Sequence, residues 1–572
     1  MKRVFSYLLP YRLRMAVGFL IKVAGTVAEL FLPFVLTHIL KNVVVRESLT
    51  QILLYGALML ALAVAACAFN IIANRMAAFV GRNFSEALRR DLFYRTLTLD
   101  AAQTDAFTIP SLESRITTDT YHVHNFVMMI QRMGVRAPIL LLGGIVITLC
   151  MDAHLALVML AVLPFIFVTV FFLSRRGVPL YRKVQSSVDG MVRVMREDYL
   201  GVRVIKALSK EETEKERFGN ANRQLSKNEE TAGIVMGGVH PVMTLLMNVG
   251  ITAVVAIAAW RVSGGTSDPE TVVAFMQYFT LISMAMMTVS RMFVMYTKCA
   301  ASATRIAEVL DTPYLLPKEE SPETSREEFI RFDGVSYAYA EGGLALEDVS
   351  FCLHKGESLG VIGATGSGKS TLIKLLLRFY DPTAGKIIFA GRPLTSYARE
   401  ELSAFVGVSH QKDFLYAASV KDNIRFERDL SDEEICRAAS VAQAADFIAA
   451  LPDGFDTLLS AGGTNLSGGQ RQRLLIARAV AGSPRLLILD DASSALDYKT
   501  DAALRAALRE RCRGTTTVTV AQRVSSVKDC SLILVLDEGK VIGIGKHEEL
   551  LKTCPTYREI AESQMGGGDF DE

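Results

Sequence analysis

Ser358-Leu-Gly-Val-Ile-Gly-Ala-Thr-Gly-Ser-Gly-Lys-Ser370 is the stretch that decides the fold of the C-terminal half of this 572-residue chain. Its first five residues read as a short buried strand. That strand runs directly into Gly363-Ala364-Thr365-Gly366-Ser367-Gly368-Lys369-Ser370, the full GxxxxGK[ST] phosphate-loop pattern, with a helix expected from about Thr371. The glycines let successive backbone N–H groups point into one concavity, a nest for phosphate oxygens. The helix start adds its positive dipole end. Lys369 is then placed to reach the β and γ phosphates of ATP, and the Ser370 hydroxyl to ligate Mg²⁺.

A second Mg²⁺-side group should come from an apolar strand ending in an acid, and Leu486-Leu-Ile-Leu-Asp490 has that form, with Asp490 turned toward the metal. Twenty residues before Leu486 stands Leu466-Ser467-Gly468-Gly469-Gln470, followed by Arg471-Gln-Arg. This pentapeptide resembles the signature of ATP-binding cassette (ABC) proteins. Other matches follow in order. Tyr339 resembles the aromatic residue that stacks on adenine. Gln411 resembles the glutamine that senses Mg²⁺ and contacts coupling helices, and Ser494-Ala-Leu-Asp497 resembles the D-loop. The resemblance implies that Ser467–Gln470 complete the nucleotide site of a partner cassette, not that of their own chain.

The N-terminal half has a different solvent preference. Half of all residues are apolar, and the long apolar runs lie between about Leu20 and Lys298. A membrane-spanning helix needs about 20 mostly apolar residues. Six stretches qualify: Met15–Leu40, Ile52–Ala73, Val135–Met151, Leu155–Leu173, Ile234–Val262 and Val272–Met295. The third and fourth are separated by a tight turn at Asp152-Ala153-His154. The connections Asn74–Gly134 and Ser174–Gly233 are long, helical in pattern and rich in Lys and Arg, including Arg89, Arg95, Arg175, Lys183 and Lys206. The positive-inside bias therefore places both excursions, both termini and the C-terminal half in the cytoplasm, on a multi-pass protein of the inner (cytoplasmic) membrane. The basic start, Met1–Met15, reads as an amphipathic surface segment rather than a removable signal. The excursion tips are expected near Thr104–Asp119 and Glu197–Leu208.

Charge in the spans is sparse. Arg136 and Arg261 are expected at helix ends near the interface, while Lys22, Glu29 and Arg291 lie deeper. Lys22 and Arg291 read as packed or snorkelling groups. Glu29 is equally readable as a cavity residue. The run Met284–Met287 reads as ordinary apolar packing. A net charge of +2 suggests no nucleic-acid partner. Eight scattered cysteines with no CxxC pair argue against a cysteine metal site or disulfide framework.

Together these features describe a membrane all-α domain of six helices with long intracellular helices (1–310), an acidic linker with three prolines (311–326), and an α/β P-loop nucleotide-binding domain (327–572). Ser114–Asp119 and Gly201–Lys206 resemble segments of the exporter branch, so the likeness covers essentially the whole chain. It implies an ATP-hydrolysing translocase built from two half-transporter chains, driven by alternating access. An importer on the same fold and a non-transporting ATP-gated regulator are the rival readings. A soluble cassette acting on nucleic acid conflicts with the spans.

Two positions depart from the family. A Glu normally follows the metal-binding Asp; here it is Asp491, one methylene shorter. A switch histidine normally contacts the γ-phosphate; here the position is Gln522. Misplacement by about 1 Å at a reacting centre costs on the order of 10²-fold. The expectation is a catalytically weakened subunit of a heterodimer, whose partner carries Glu and His. A third departure is Ala461, in Ser460–Thr464, where the family usually has an acid.

Overall fold

The computed structural model describes residues 1–44, 49–264, 268–313, 328–339, 342–411 and 413–565. The chain divides into two compact units, Met1–Thr98 with Phe107–Thr312, and Leu99–Ala106 with Pro313–Glu572. The expected linker falls mostly outside the described residues.

The first unit is all helix. Among the described residues, five helical segments are long and apolar enough to cross a membrane: Lys2–Val43, Leu49–Leu97, Ile109–Met151, Glu211–Ser263 and Pro269–Asp311. The remaining expected span, Leu155–Leu173, lies in the 55-residue helix Ala153–Ala207, whose apolar described part is Ala153–Ile166. Helices this long need no tertiary partner for their backbone groups, which is the condition for crossing lipid. Their outward faces are apolar: Leu53, Leu54 and Leu60 are each about two-thirds exposed. Such a belt suits lipid or another chain. Trp260 and Arg261 end one span, as interfacial anchors do.

The third and fourth expected helices are joined more tightly than the sequence suggests. Only Asp152 leaves helical geometry (φ −155°, ψ 107°), and its carboxylate caps the next helix by accepting from His154 N and Leu155 N. The same carboxylate pairs with Arg261 at 2.6 Å. The fifth span is interrupted at Gly238, between helices Glu211–Gly237 and Val239–Ser263.

Two expectations need correction. Arg136 is not at a helix end: it lies inside Thr120–Met151 and pairs with Glu29 of the first span. Hydropathy rises only at Val135, but the helix begins a full four turns earlier. The first excursion turns over Thr98–Thr108, so the expected tip Thr104–Asp119 overlaps the turn but runs on into the returning limb. Helix Leu49–Leu97 ends, a short helix spans Ala101–Phe107, and Thr108 takes a left-handed φ of 62° before Ile109 restarts the helix. Arg115–Asp119 is already on the returning limb, as one π-helical turn.

That turn is a polar junction. Asp119 is fully buried and accepts from Ser302 Oγ at 2.8 Å and from Arg305. Arg115 donates to the Arg305 carbonyl at 2.8 Å and pairs with Glu308 at 3.1 Å. Extra residues in a helical turn push side chains out of register, which suits such a lock. Lys22 is also buried, and its ammonium donates to Asn70 at 2.7 Å and Asn74 at 3.2 Å. It is packed in the bundle, not snorkelling. Met286 and Met287 pack against the core of this unit, while Met284 is exposed.

The second unit contains two sheets. β1 (Glu328–Ala338), β2 (Leu344–His354), β4 (Ala384–Phe389) and β5 (Arg392–Pro393) form an antiparallel sheet in the order β2-β1-β4-β5. β3 (Ser358–Gly363), β6 (Val406–Ser409), β7 (Leu486–Asp490), β8 (Thr516–Val520), β9 (Leu532–Asp537) and β10 (Lys540–Gly545) form the other, ordered β10-β9-β3-β8-β7-β6. All its pairings are parallel except β9 with β10. β7 is buried along its whole length, so it reads as a continuous apolar run rather than an alternating one. A core between the sheets includes Phe332 stacked on Phe351 at 4.6 Å between ring centroids. A separate helical core gathers Leu415, Ile424, Ile435, Leu474 and Ile476.

The buried Asp119 lock predicts a measurable cost. Asp119→Ala leaves Ser302 and Arg305 without their acceptor and should remove about 1–3 kcal/mol from the membrane unit. Thermal unfolding of the detergent-solubilised chain should show an earlier first transition, while the exposed Arg291→Gln leaves it in place. An unshifted D119A transition would show that the junction holds nothing.

Candidate active site

Ligand sites of open parallel sheets lie beyond the carboxyl ends of the strands. Here four strand ends supply the expected residues. β3 delivers the phosphate loop. β6 leads to Gln411, β7 ends in Asp490 and Asp491, and β8 leads to Gln522. These residues, with Tyr339, Thr365, Gly366, Gly368, Lys369, Ser370 and Thr371, line one cavity of about 290 Å³.

The helix after the loop starts at Lys369, two residues earlier than expected. Its N-cap, Gly368, has φ 97°, and a Cβ there would stand 2.6 Å from the Ala345 carbonyl oxygen. Only glycine fits. Gly366 has φ 89° with open space around it. Ser367 is buried, while Gly363 is half-buried and Ala364 exposed, and these three do not line the cavity. The Lys369 ammonium lies over the loop, donating to the carbonyls of Gly363 at 2.8 Å and Ala364 at 2.6 Å. Thr371 is buried and hydrogen-bonds Tyr339 Oη at 3.3 Å. Tyr339 packs edge-on against Tyr337 and Tyr380.

Asp490 is almost fully buried, and its carboxylate makes no hydrogen bond among the described residues. Burial pushes its pKa up, opposed first by His410, aided by the Asp491 charge, and opposed further by Lys369 and Lys374. An unbonded buried carboxylate beside a serine hydroxyl and an amide oxygen is a set of hard oxygen donors. Ser370, Gln411 and Asp490 therefore fit Mg²⁺, whose chemistry would be to bridge and neutralise phosphate oxygens.

Asp491 sits in a left-handed conformation, φ 51°. This costs backbone strain, and the surroundings over-determine it. Its N–H donates to the Val520 carbonyl at 2.9 Å. Its carbonyl accepts from Gln472 Nε2 and from Ser494 Oγ, both at 3.0 Å. The carboxylate oxygen Oδ2 faces two amides, Gln411 Nε2 at 3.5 Å and Gln522 Nε2 at 3.4 Å. Burial raises its pKa, and the Gln411 contact opposes that.

The signature residues lie elsewhere. Ser467 caps helix Gly468–Val480, with a reciprocal box in which Ser467 N donates to Gln470 Oε1 at 2.9 Å and Gln470 N to Ser467 Oγ at 3.3 Å. Ser467 and Gly468 are exposed, and Ser467, Gly468, Gly469 and Gln470 do not line the cavity. Gln472 is a residue that sequence reasoning missed. It holds the Asp491 carbonyl with Nε2 and accepts from Ala495 N with Oε1 at 2.9 Å. Its place two residues after the pentapeptide was the available signal. Ala461 lies in a one-turn 3-10 helix, Ala461–Gly463, where Gly462 N donates to the Leu415 carbonyl.

Comparisons with known proteins agree with this arrangement. The ABC transporter transmembrane region family matches residues 15–286, and the ABC transporter family matches residues 346–494. An uncharacterised ABC transporter ATP-binding protein of Mycobacterium tuberculosis is 34% identical over 567 residues, covering 98% of this chain and 97% of its own. Another, YfiB of Bacillus subtilis, is 33% identical over 569 residues, covering 99% of each. A solved bacterial Atm1-family ABC exporter with ATP bound has a TM-score of 0.80 and 25% identity, over 97% of this chain and 98% of that one.

The raised pKa of Asp490 has a signed consequence. Between the ordinary carboxylate value of 3.8 and its raised value, the folded cassette binds more protons than the unfolded chain. Stability from this group is thus fully present at low pH and is lost as pH climbs through the folded pKa. Asp490→Asn should therefore raise the melting temperature of the nucleotide-free protein at pH 7.5, with the gain vanishing toward pH 4. Equal melting at both pH values would contradict the burial argument.

Proposed function

The chain belongs to the ABC transporter family, as an exporter-type half-transporter with an ATP-hydrolysing cassette, and from that premise we propose that it is the catalytically weakened subunit of a heterodimer. Its own phosphate loop, Gly363–Thr371 with Tyr339 and Gln411, binds ATP with Mg²⁺ but turns it over slowly. Its signature, Ser467–Gln470, closes the hydrolytic site of a partner chain that carries Glu and His at the altered positions. The observation that carries this reading is the pair Asp491 and Gln522, two changes at one catalytic step beside an otherwise complete binding set.

Hydrolysis needs a carboxylate that can orient and deprotonate water at the γ-phosphate. Asp491 reaches less far than Glu by one methylene. Its Oδ2 also faces two amide donors, Gln411 and Gln522. The Gln411 contact favours the charged form, against the burial that raises the Asp491 pKa. Gln522 offers an amide dipole where an imidazolium would offer a full charge. The remaining steps ask less of these residues. Lys369 and the loop N–H groups would hold phosphate, and Asp490, Ser370 and Gln411 would hold the metal. ATP thus joins the two cassettes, and alternating access follows as a nucleotide-driven shift between membrane-domain states. The membrane domain is taken as 1–310 and the cassette as 327–572, both termini being cytoplasmic in a cytoplasmic membrane. The Lys and Arg of the long connections support that orientation.

Repairing the site tests the reading. The chain purified alone should hydrolyse ATP slowly while retaining bound ATP. Asp491→Glu combined with Gln522→His should raise turnover by roughly 10²-fold, with ATP affinity unchanged. With the partner present, Ser467→Arg in this chain should abolish most turnover. A wild-type homodimer already running at the repaired rate would sink the proposal.

A further inference from the structure

Two arginines near the start of the first span have no part in the ATP cycle. Arg14 and Arg82 both stand over the ring of Phe79, with their guanidinium carbons 3.7 Å and 5.5 Å from its centroid. One ring thus gathers a cation from helix Arg12–His38 and a cation from helix Leu49–Leu97. Tyr11 packs edge-on against the same ring, at 6.4 Å between centroids. Arg82 Nε donates to the neutral Asn83 amide oxygen at 3.2 Å, and among the described residues no carboxylate forms an ion pair with either arginine. Stacking on a ring uses the face of a guanidinium and leaves its in-plane N–H donors free, the edge that matches a phosphate. Both side chains are exposed, so a ligand can reach them.

A crevice of about 530 Å³ opens at Arg14, within the size range of small-molecule sites. Arg14 itself lines it, followed along the first helix by Gly18 and Phe19. Ala73 and Met76 line it from the second helix, and Ile130 from helix Thr120–Met151. Apart from Arg14 and Gln131 the lining is apolar. A Cβ at Gly18 would stand 3.6 Å from Met76 Cβ, an ordinary contact. Packing does not require glycine there, and the missing side chain leaves the crevice open. The first helix runs inward from Arg14 past Gly18, and the second runs outward from Ala73 past Phe79 to Arg82, so both arginines mark the same end of the crevice. Leu9 and Leu13, just before that end, are 64% and 76% exposed, as in a segment lying at a lipid interface.

We propose that this crevice binds an anionic phospholipid of the cytoplasmic leaflet. The phosphate bonds to Arg14 and Arg82, and one acyl chain lies in the crevice. Charge selects the occupant. A mouth of two unpaired cations above an apolar interior matches a molecule that is anionic at one end and aliphatic beyond it. A zwitterionic lipid brings its own cation to the arginines, and a free phosphate leaves the apolar interior unfilled. A lipid so placed ties the first helix to the second at the level where the chain leaves the bilayer. Only the choice of leaflet rests on the orientation proposed above; the chemistry of the site stands apart from it.

The test titrates the full chain in dodecyl maltoside and counts bound molecules by native mass spectrometry. The probes are dioleoyl phosphatidylglycerol, dioleoyl phosphatidylcholine and glycerol 3-phosphate. The first phosphatidylglycerol should bind at least about fivefold more tightly than the first phosphatidylcholine, and glycerol 3-phosphate should not compete. Arg14→Gln combined with Arg82→Gln should abolish that preference with an unchanged melting temperature in lipid-free detergent. Arg14→Lys with Arg82→Lys should keep most of it. Gly18→Leu, which fills the crevice, should weaken the first phosphatidylglycerol by about fivefold or more. If Gly18→Leu lowers the melting temperature, the arginine variants decide alone. Equal binding of the two lipids by the wild-type chain, or an undiminished preference in the double Gln variant, overturns the proposal. Competition by glycerol 3-phosphate assigns the arginines to a free phosphate and overturns it too. ATP binding by the same samples is read in parallel. Retained ATP binding without lipid preference removes the crevice assignment and leaves the transporter reading intact.

Discussion

The phosphate loop, Gln411, the acidic pair and Gln522 depend on four parallel strands ending at one edge. The pairing of β3 with β8 sets Val361 beside Val520, and that of β7 with β8 sets Asp490 beside Val520. The loop, the acidic pair and the switch residue therefore emerge at one height. A slip of one residue would turn each buried side chain to the opposite face. Burial of Leu486, Leu487, Ile488 and Leu489 makes that slip costly, since each fully buried aliphatic side chain is worth roughly 1.5–3 kcal/mol. Apolar strands with no chemistry of their own thus fix the chemistry at their ends.

The membrane unit works under an opposite limit. A buried carboxylate without a partner is costly, and three of the unit's carboxylates are met by arginines. Asp119 is answered by Ser302 and Arg305, Glu29 by Arg136, and Asp152 by Arg261. Each of these pairs joins segments far apart in sequence, so each also pins one helix to another. Lys22 is answered only by amides, which is why it stands apart from the other three.

The phosphate loop was legible because its signal is local: a strand, glycines at fixed offsets and a lysine. The same holds for the strand ending in Asp490 and for the six apolar stretches. The first reversal was placed a few residues late because Thr98–Asp100 contains no Gly or Pro to mark where it starts. Arg136 was misread because a hydropathy window finds where a helix becomes greasy, not where it begins. The left-handed Asp491 had no periodic or compositional trace, and the Gln472 clamp had only its place two residues after the pentapeptide. Both arise from contacts between segments about 20 to 30 residues apart that only the folded cassette brings together.

Asp491 is where backbone and chemistry meet. Its left-handed φ turns the chain sharply after β7, so the side chain points toward Gln411 and Gln522 instead of continuing the strand direction. The Gln522 end of that arrangement is itself fixed. Its carbonyl accepts from Gln564 Nε2 at 2.8 Å, and Gln564 Oε1 accepts from Val524 N at 2.8 Å. A short carboxylate thus sits between two amides on anchored backbones. Burial pushes it toward the neutral form, and the Gln411 contact pulls it back toward the charged one. A longer Glu on the same strained turn would extend past both amides into the cavity. The one-methylene difference therefore bears on more than reach: the short carboxylate stays beside Gln411 and Gln522.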